Sequence, residues 1–118
     1  MFSIDTASHK YLRVSAAGRL SSRDYRSFEP AFEAELARRG GRVALLLDVT
    51  GWRGWTASGL VRDLRFDFTH RNSFPRIAVV GSRAWHRWLT VAAKPVFSGP
   101  MRYFDRREEG QAVEWLES

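Results

Sequence analysis

The chain contains no cysteine, only two lysines (Lys10 and Lys94), and no apolar run approaching the ~18 residues of a membrane-spanning helix. The first absence excludes disulfides, thiolate metal sites and a cysteine nucleophile. The N-terminus, MFSIDTASHK, lacks the basic-then-apolar pattern of a secretory leader, so the expectation is a soluble, cytoplasmic protein without a transmembrane segment. Phosphate loops are missing too: Gly51 and Gly54 do not make GxGxxG, and no Gly-Lys-Ser/Thr follows. His9, His70 and His86 lie far apart, without metal-ligand spacing or a nearby nucleophile pattern. Asp48 is the best single acid for chemistry, but an aspartate at the end of a strand more commonly caps the loop that follows. No catalytic residue, metal or cofactor is therefore expected, and the protein reads as a non-enzyme.

What is present is a globular composition. The 118 residues are 44% hydrophobic and 14% aromatic, which suits one domain, residues 1–118, with a substantial core. The formal net charge is +6. It is unevenly placed: Arg42 to Lys94 holds nine basic residues against Asp48, Asp63 and Asp67, and the remainder balances to zero. That excess favours an anionic partner along the middle of the chain, or is simply a basic, solvated surface. Nucleic acid is disfavoured, because basic and acidic residues alternate on the helices and no recognised binding module is present.

Hydrophobic periodicity predicts the elements. Phe2 to Thr6 and Tyr11 to Ala16 read as a hairpin turning at Ser8 to Lys10, with Gly18 ending the second strand. Ser21, with Asp24 three residues on, caps a helix over about 22–39 whose stripe is Tyr25, Phe28, Phe32 and Leu36, with a kink expected at Pro30 or a short turn there feeding a longer helix. The chain is organised around RVALLLDVTGWRGWTASG, Arg42 to Gly59. Its Val43 to Leu47 run is a central strand buried on both faces, Asp48 to Trp55 a Gly/Trp loop, and Thr56 the cap of a helix to about Arg71. In that helix Leu60, Val61, Leu64 and Phe68 share the apolar face, and Phe66 points away from it. Ile77 to Val80 is a second buried strand. Ser82 caps a third helix, reaching Lys94, with Trp85, Trp88, Leu89 and Ala92 on one face. Met101 to Phe104 is a last strand, and Asp105 with Glu108 caps a final helix carrying Ala112, Val113, Trp115 and Leu116. The order β-β-α-β-α-β-α-β-α implies an α/β fold: a mixed, mostly parallel five-stranded sheet with an antiparallel edge, flanked by helices.

Several stretches in this order resemble those of a known family. Gly18-Arg19-Leu20, Tyr25 with Pro30-Ala31, Leu45-Leu46-Leu47-Asp48, Gly51-Trp52 with Gly54-Trp55, Asp63-Leu64, His70-Arg71, Ile77-Ala78-Val79-Val80-Gly81, Trp85 with Trp88-Leu89, and Tyr103-Phe104-Asp105 with Ala112 and Trp115-Leu116 together resemble the SpoIIAA-like group of small STAS/SEC14-type domains, nearly end to end. The resemblance implies a mixed sheet flanked by helices and no established enzymatic activity. It further implies one of two roles: an anti-anti-sigma-like regulator phosphorylated on a serine at a helix start, or a lipid-binding module holding an apolar ligand under a mobile helix. Thr56-Ala57-Ser58-Gly59 matches the regulator's Asp-Ser-Ser-Gly only at Ser58 and Gly59. Ser58 is the candidate phosphorylation site, or with Thr56 a satisfier of free helix donors.

The candidate ligand site is a cleft between the helices starting near Thr56 and Ser82. Trp52, Trp55, Phe66, Trp85 and Trp88 would line it, with Arg53, Arg62 and Arg65 on the anionic head of an amphipathic, lipid-like molecule. The alternatives are that the tryptophans are core, or that the exposed aromatics form a protein-partner surface or homodimer interface. Peripheral contact with a membrane remains open on the same grounds.

Overall fold

The computed structural model describes residues 1–118. The elements are β1 (Phe2–Asp5), β2 (Tyr11–Leu20), α1 (Ser22–Arg38), β3 (Ala44–Trp55), α2 (Ala57–Thr69), β4 (Ile77–Gly81), α3 (Ala84–Ala93), β5 (Met101–Asp105) and α4 (Glu109–Glu117). The five strands form one sheet in the order β1-β2-β3-β4-β5. β1 pairs antiparallel with β2, and every other pair is parallel.

Strand order equal to chain order dictates where the helices go. Each crossover steps one strand in the same direction, and right-handed connections then place α1, α2 and α3 on a single face. Their side chains join Leu12, Val14, Leu45, Ile77 and Val79 in the larger core. The opposite face, through Leu46, Ala78, Val80 and Phe104, is covered by Ala112 and Leu116 of α4. β4 is buried at all five positions, as a strand sandwiched between two helical layers must be.

The helix starts carry their chemistry in the side chains. Ser21 and Asp24 form a reciprocal capping box on α1, which runs on through Pro30. Thr56 Oγ1 accepts from Gly59 N–H at 3.0 Å, and Asp105 with Glu108 closes the turn leading into α4. The start of α3 departs from expectation. Arg83, not Ser82, is its N-cap. The acceptor is His86 Nδ1, which takes the Ser82 and Arg83 N–H groups at 3.1 and 3.3 Å, while the Ser82 hydroxyl donates to Thr50 O.

Two further expectations are corrected. The stretch from Asp48 to Trp55 is not a loop: β3 continues through it, paired with a β2 that likewise runs past Ala17 and Gly18 to Leu20. The pairing slips register twice on the way, and Gly18 (φ +69°) and Gly54 (φ +111°) supply conformations that side chains resist. The second correction concerns α2, whose expected core face is exposed. Leu60, Val61, Leu64 and Phe68 are exposed, whereas Phe66 packs against the core between Phe28, Phe32 and His70.

Candidate functional site

The rotation of α2 is set at its first turn. A Cβ on Gly59 would overlap Leu20 O and come within 2.9 Å of the Leu20 carbonyl carbon, so this position must be glycine for the helix to lie where it does. Thr56 N–H also donates to Leu20 O, at 2.9 Å. Further along, polar side chains pin α2 to α1: Tyr25 OH donates to Asp63 Oδ1 at 2.6 Å, Arg62 pairs with Glu29 at 2.9 Å, and His70 Nε2 meets Glu33 Oε1 at 2.7 Å. These contacts outweigh the outward-facing hydrophobic residues and fix which face turns in. Four exposed apolar side chains are the result.

α2 packs against α1 and stands apart from α3. Between α2, α3 and the sheet lies a cavity of about 430 Å³, within the range of roughly 300–1,000 Å³ of small-molecule sites. Of its 28 lining residues, 24 are hydrophobic. The floor is sheet (Val14, Leu45, Leu47, Val79), one wall is Leu60, Leu64 and Phe66 of α2, and the other is Leu89 and Ala93 of α3 with Val96 and Phe97 beyond it. The extension of β3 closes one end with Trp52 and Trp55.

The polar groups of this cavity have different freedoms. His86 is 1% exposed and fully engaged. Since its Nδ1 accepts backbone N–H bonds, the proton is on Nε2, which donates to Trp52 O at 3.1 Å. Burial holds this imidazole below the ordinary histidine range, and the Arg83 charge adds to the effect. Thr90 Oγ1 donates to His86 O at 2.8 Å. Asp63 and Asp67, four residues apart on α2, turn toward the cavity together. Burial raises the pKa of both carboxyls. Asp67 is pushed up to about 9, first by burial and then by the Asp63 charge and a hydrogen bond to it. Trp55 Nε1 donates to Tyr25 OH at 3.0 Å, so a hydrogen-bonded chain runs from Trp55 through Tyr25 to Asp63, with Asp67 beside it on the cavity face of α2. Burial and Asp63 together raise the Tyr25 phenol's pKa far above the usual value.

The residues singled out from sequence are distributed unevenly around this site. Trp52, Trp55 and Phe66 line the cavity. Trp52 is also core, 7% exposed, with its ring against Trp55, Trp85 and His86. Trp85 packs against that core from outside the cavity lining, and Trp88 is 70% exposed on the far side of α3. Arg53 and Arg65 stand exposed on the surface, and Arg62 is paired with Glu29. No arginine or lysine lines the cavity, so the expected basic seat for an anionic head is not assembled there. Ser58 is exposed in the first turn of α2, with its hydroxyl 3.4 Å from Thr56 Oγ1. On the opposite face of the sheet, Asp48 accepts from Thr50 N–H, Thr50 Oγ1 and Arg13, and Arg13 also reaches Glu109 at 2.8 Å. No three His, Asp or Glu side chains converge where a metal ion could sit, and no helix is long and apolar enough to cross a membrane.

The sequence reading missed Tyr25, Asp63, Asp67 and Thr90 as cavity residues. The spacing of Asp63 and Asp67 was a signal that they share a helix face, and Leu60 and Leu64 line the cavity beside them; what hid the pair was reading that face as apolar alone.

The architecture is shared with known proteins. A search of curated proteins found no match. Among solved structures, the chain is similar to an uncharacterised protein of the DUF3478 family with a SpoIIAA-like fold, from Shewanella loihica PV-4. The two are 27% identical, the match covers 98% of this chain and 92% of the other, and the TM-score is 0.83. A model of the SpoIIAA-like family matches residues 11–117, nearly the full span of the sheet and helices described above, and the chain therefore belongs to the SpoIIAA-like family.

Proposed function

We propose that this chain is a non-enzymatic binding module that takes up a small apolar or amphipathic ligand in the cavity beneath α2 and α3. The observation that carries this reading is the cavity itself: about 430 Å³, lined by 24 hydrophobic residues out of 28. Close-packed interiors leave few voids larger than a water molecule, so a space of this size represents stability left unrealised in the free protein. The exposed Val61, Phe68, Trp88 and Val91 outside the cavity lining on the same two helices, with Leu60 and Leu64 exposed at the cavity wall, further support delivery from an apolar environment, such as a lipid surface.

The direct test is native mass spectrometry of protein purified gently from cells, paired with uptake of the neutral apolar dye Nile red. Extra mass that disappears on denaturation, together with dye uptake, is the expected result. Ala93 lies in the cavity wall and packs against the core, so Ala93→Phe should fill the space and abolish dye uptake with the fold intact. A clean apo mass with no dye uptake by the unaltered protein would overturn the reading and move attention to protein partners.

A further inference from the structure

The polar valences of the cavity are all of one kind, and they bear on which ligand it takes. Four of its lining residues are not hydrophobic: Asp63, Asp67, His86 and Thr90. Both His86 ring nitrogens are occupied by backbone partners, and the Thr90 hydroxyl proton is given to His86 O. The Tyr25 hydroxyl, the remaining polar atom near the pair, already donates to Asp63 and accepts from Trp55. What is left to meet a ligand is carboxyl oxygen. No basic side chain lines the cavity to neutralise it, although the chain as a whole carries a net +6. Acceptors in an apolar enclosure are satisfied by a hydrogen-bond donor, best by one carrying positive charge.

Resting on the binding reading above, we infer that the cavity selects an alkyl chain ending in a primary amine, with the ammonium group seated on the carboxyls of Asp63 and Asp67 and the chain lying against the apolar walls. The charges balance. With Asp67 pushed up to about 9, the pair keeps a proton at neutral pH and carries at most one negative charge, which one ammonium cancels. An alkyl carboxylate would instead bring a second anion to the half-buried pair, where like charges repel. An alcohol satisfies an acceptor without the charge and ranks between the two.

The test is titration of the purified protein with decylamine, decanol and decanoate at neutral pH, followed by the fluorescence of Trp52 and Trp55 at the cavity end. Decylamine should bind about tenfold more tightly than decanol, the difference between a charge-assisted and a neutral hydrogen bond, and decanoate more weakly than either. In the isosteric Asp63→Asn/Asp67→Asn variant the amine should lose that advantage while decanol binding stays. If the double variant does not melt cooperatively, Asp67→Asn alone gives the same readout. Equal binding of amine and alcohol, tighter binding of decanoate, or an amine preference that survives the asparagine substitutions would each overturn the inference and leave the cavity reading standing. Failure of all three probes to bind would overturn both.

Discussion

Asp67 illustrates how a single buried carboxyl places a pH signature on the whole chain. Its pKa is raised from the ordinary aspartate value to about 9, so between those two pH values the folded state keeps a proton that the unfolded state releases. Stability is then lost steadily as pH rises from about 4 to about 9. Asp67→Asn removes this dependence, and its melting-temperature gain over the unaltered protein should grow between pH 5 and pH 8. A gain independent of pH would mean that Asp67 is not the proton holder. Gly59 makes a steric argument at the same scale. Because a methyl group at this position would overlap Leu20 O, Gly59→Ala forces α2 off the end of β2, an overpacking that costs about 1–3 kcal/mol or more. Thermal denaturation reads the cost, and altered Nile red uptake reads the displacement of the cavity wall. Trp52, ringed by Trp55, Trp85 and His86, is too deeply packed for its replacement to report on binding alone. Trp52→Ala should cost about 3–5 kcal/mol, measured by urea denaturation.

At the scale of elements, α2 and α3 show what periodicity reveals and where it misleads. The order of strands and helices was legible because Leu45 to Leu47 and Ile77 to Val80 are runs too short for helices, and because Ser21, Thr56 and Asp105 announce helix starts that the structure confirms. The faces of α2 and α3 were not legible. A helix wheel assigns the apolar side inward, but Val61, Phe68, Trp88 and Val91 are exposed outside the cavity lining, and Leu60 and Leu64 stay exposed at the cavity wall. Gly59 against Leu20 and the Tyr25–Asp63 bond set the rotation of α2. Replacing both Phe68 and Trp88 with serine should therefore change folding stability by only about 0.5 kcal/mol, the scale of surface substitutions, as measured by urea denaturation. A loss of several kcal/mol would mean that these rings are buried in solution. The cavity was half legible: Trp52, Trp55 and Phe66 were named, but the carboxyl pair was hidden on a face read as apolar alone, and the strand pairing of Asp48 to Trp55 by two glycines that look like loop.

For the molecule as a whole, the buried histidine and the half-buried carboxyls act on stability in opposite directions as pH changes. His86 has a folded pKa below its unfolded value. As pH falls below about 6.5 the unfolded state therefore takes up a proton that the folded imidazole refuses, and stability declines toward acid. Asp67 acts in the opposite sense over the same interval, so the urea midpoint should fall above about pH 6.5 and be nearly level just below it. His86→Asn should remove the opposing contribution, so that the midpoint of the variant rises from pH 7 to pH 5, and an unchanged profile would remove His86 as a contributor.

The sheet order β1-β2-β3-β4-β5 has a consequence for synthesis. No strand has to slot between two that are already paired, so each emerging strand can add to the open edge left by the one before it, and nascent chains fold N-terminal portions first. The helices over the larger core arrive in the same sequence, α1, then α2, then α3. The far wall of the cavity, from Leu89 to Phe97, thus leaves the ribosome after the other helical wall, followed only by Met101 of β5, and until it docks the cavity has an open flank.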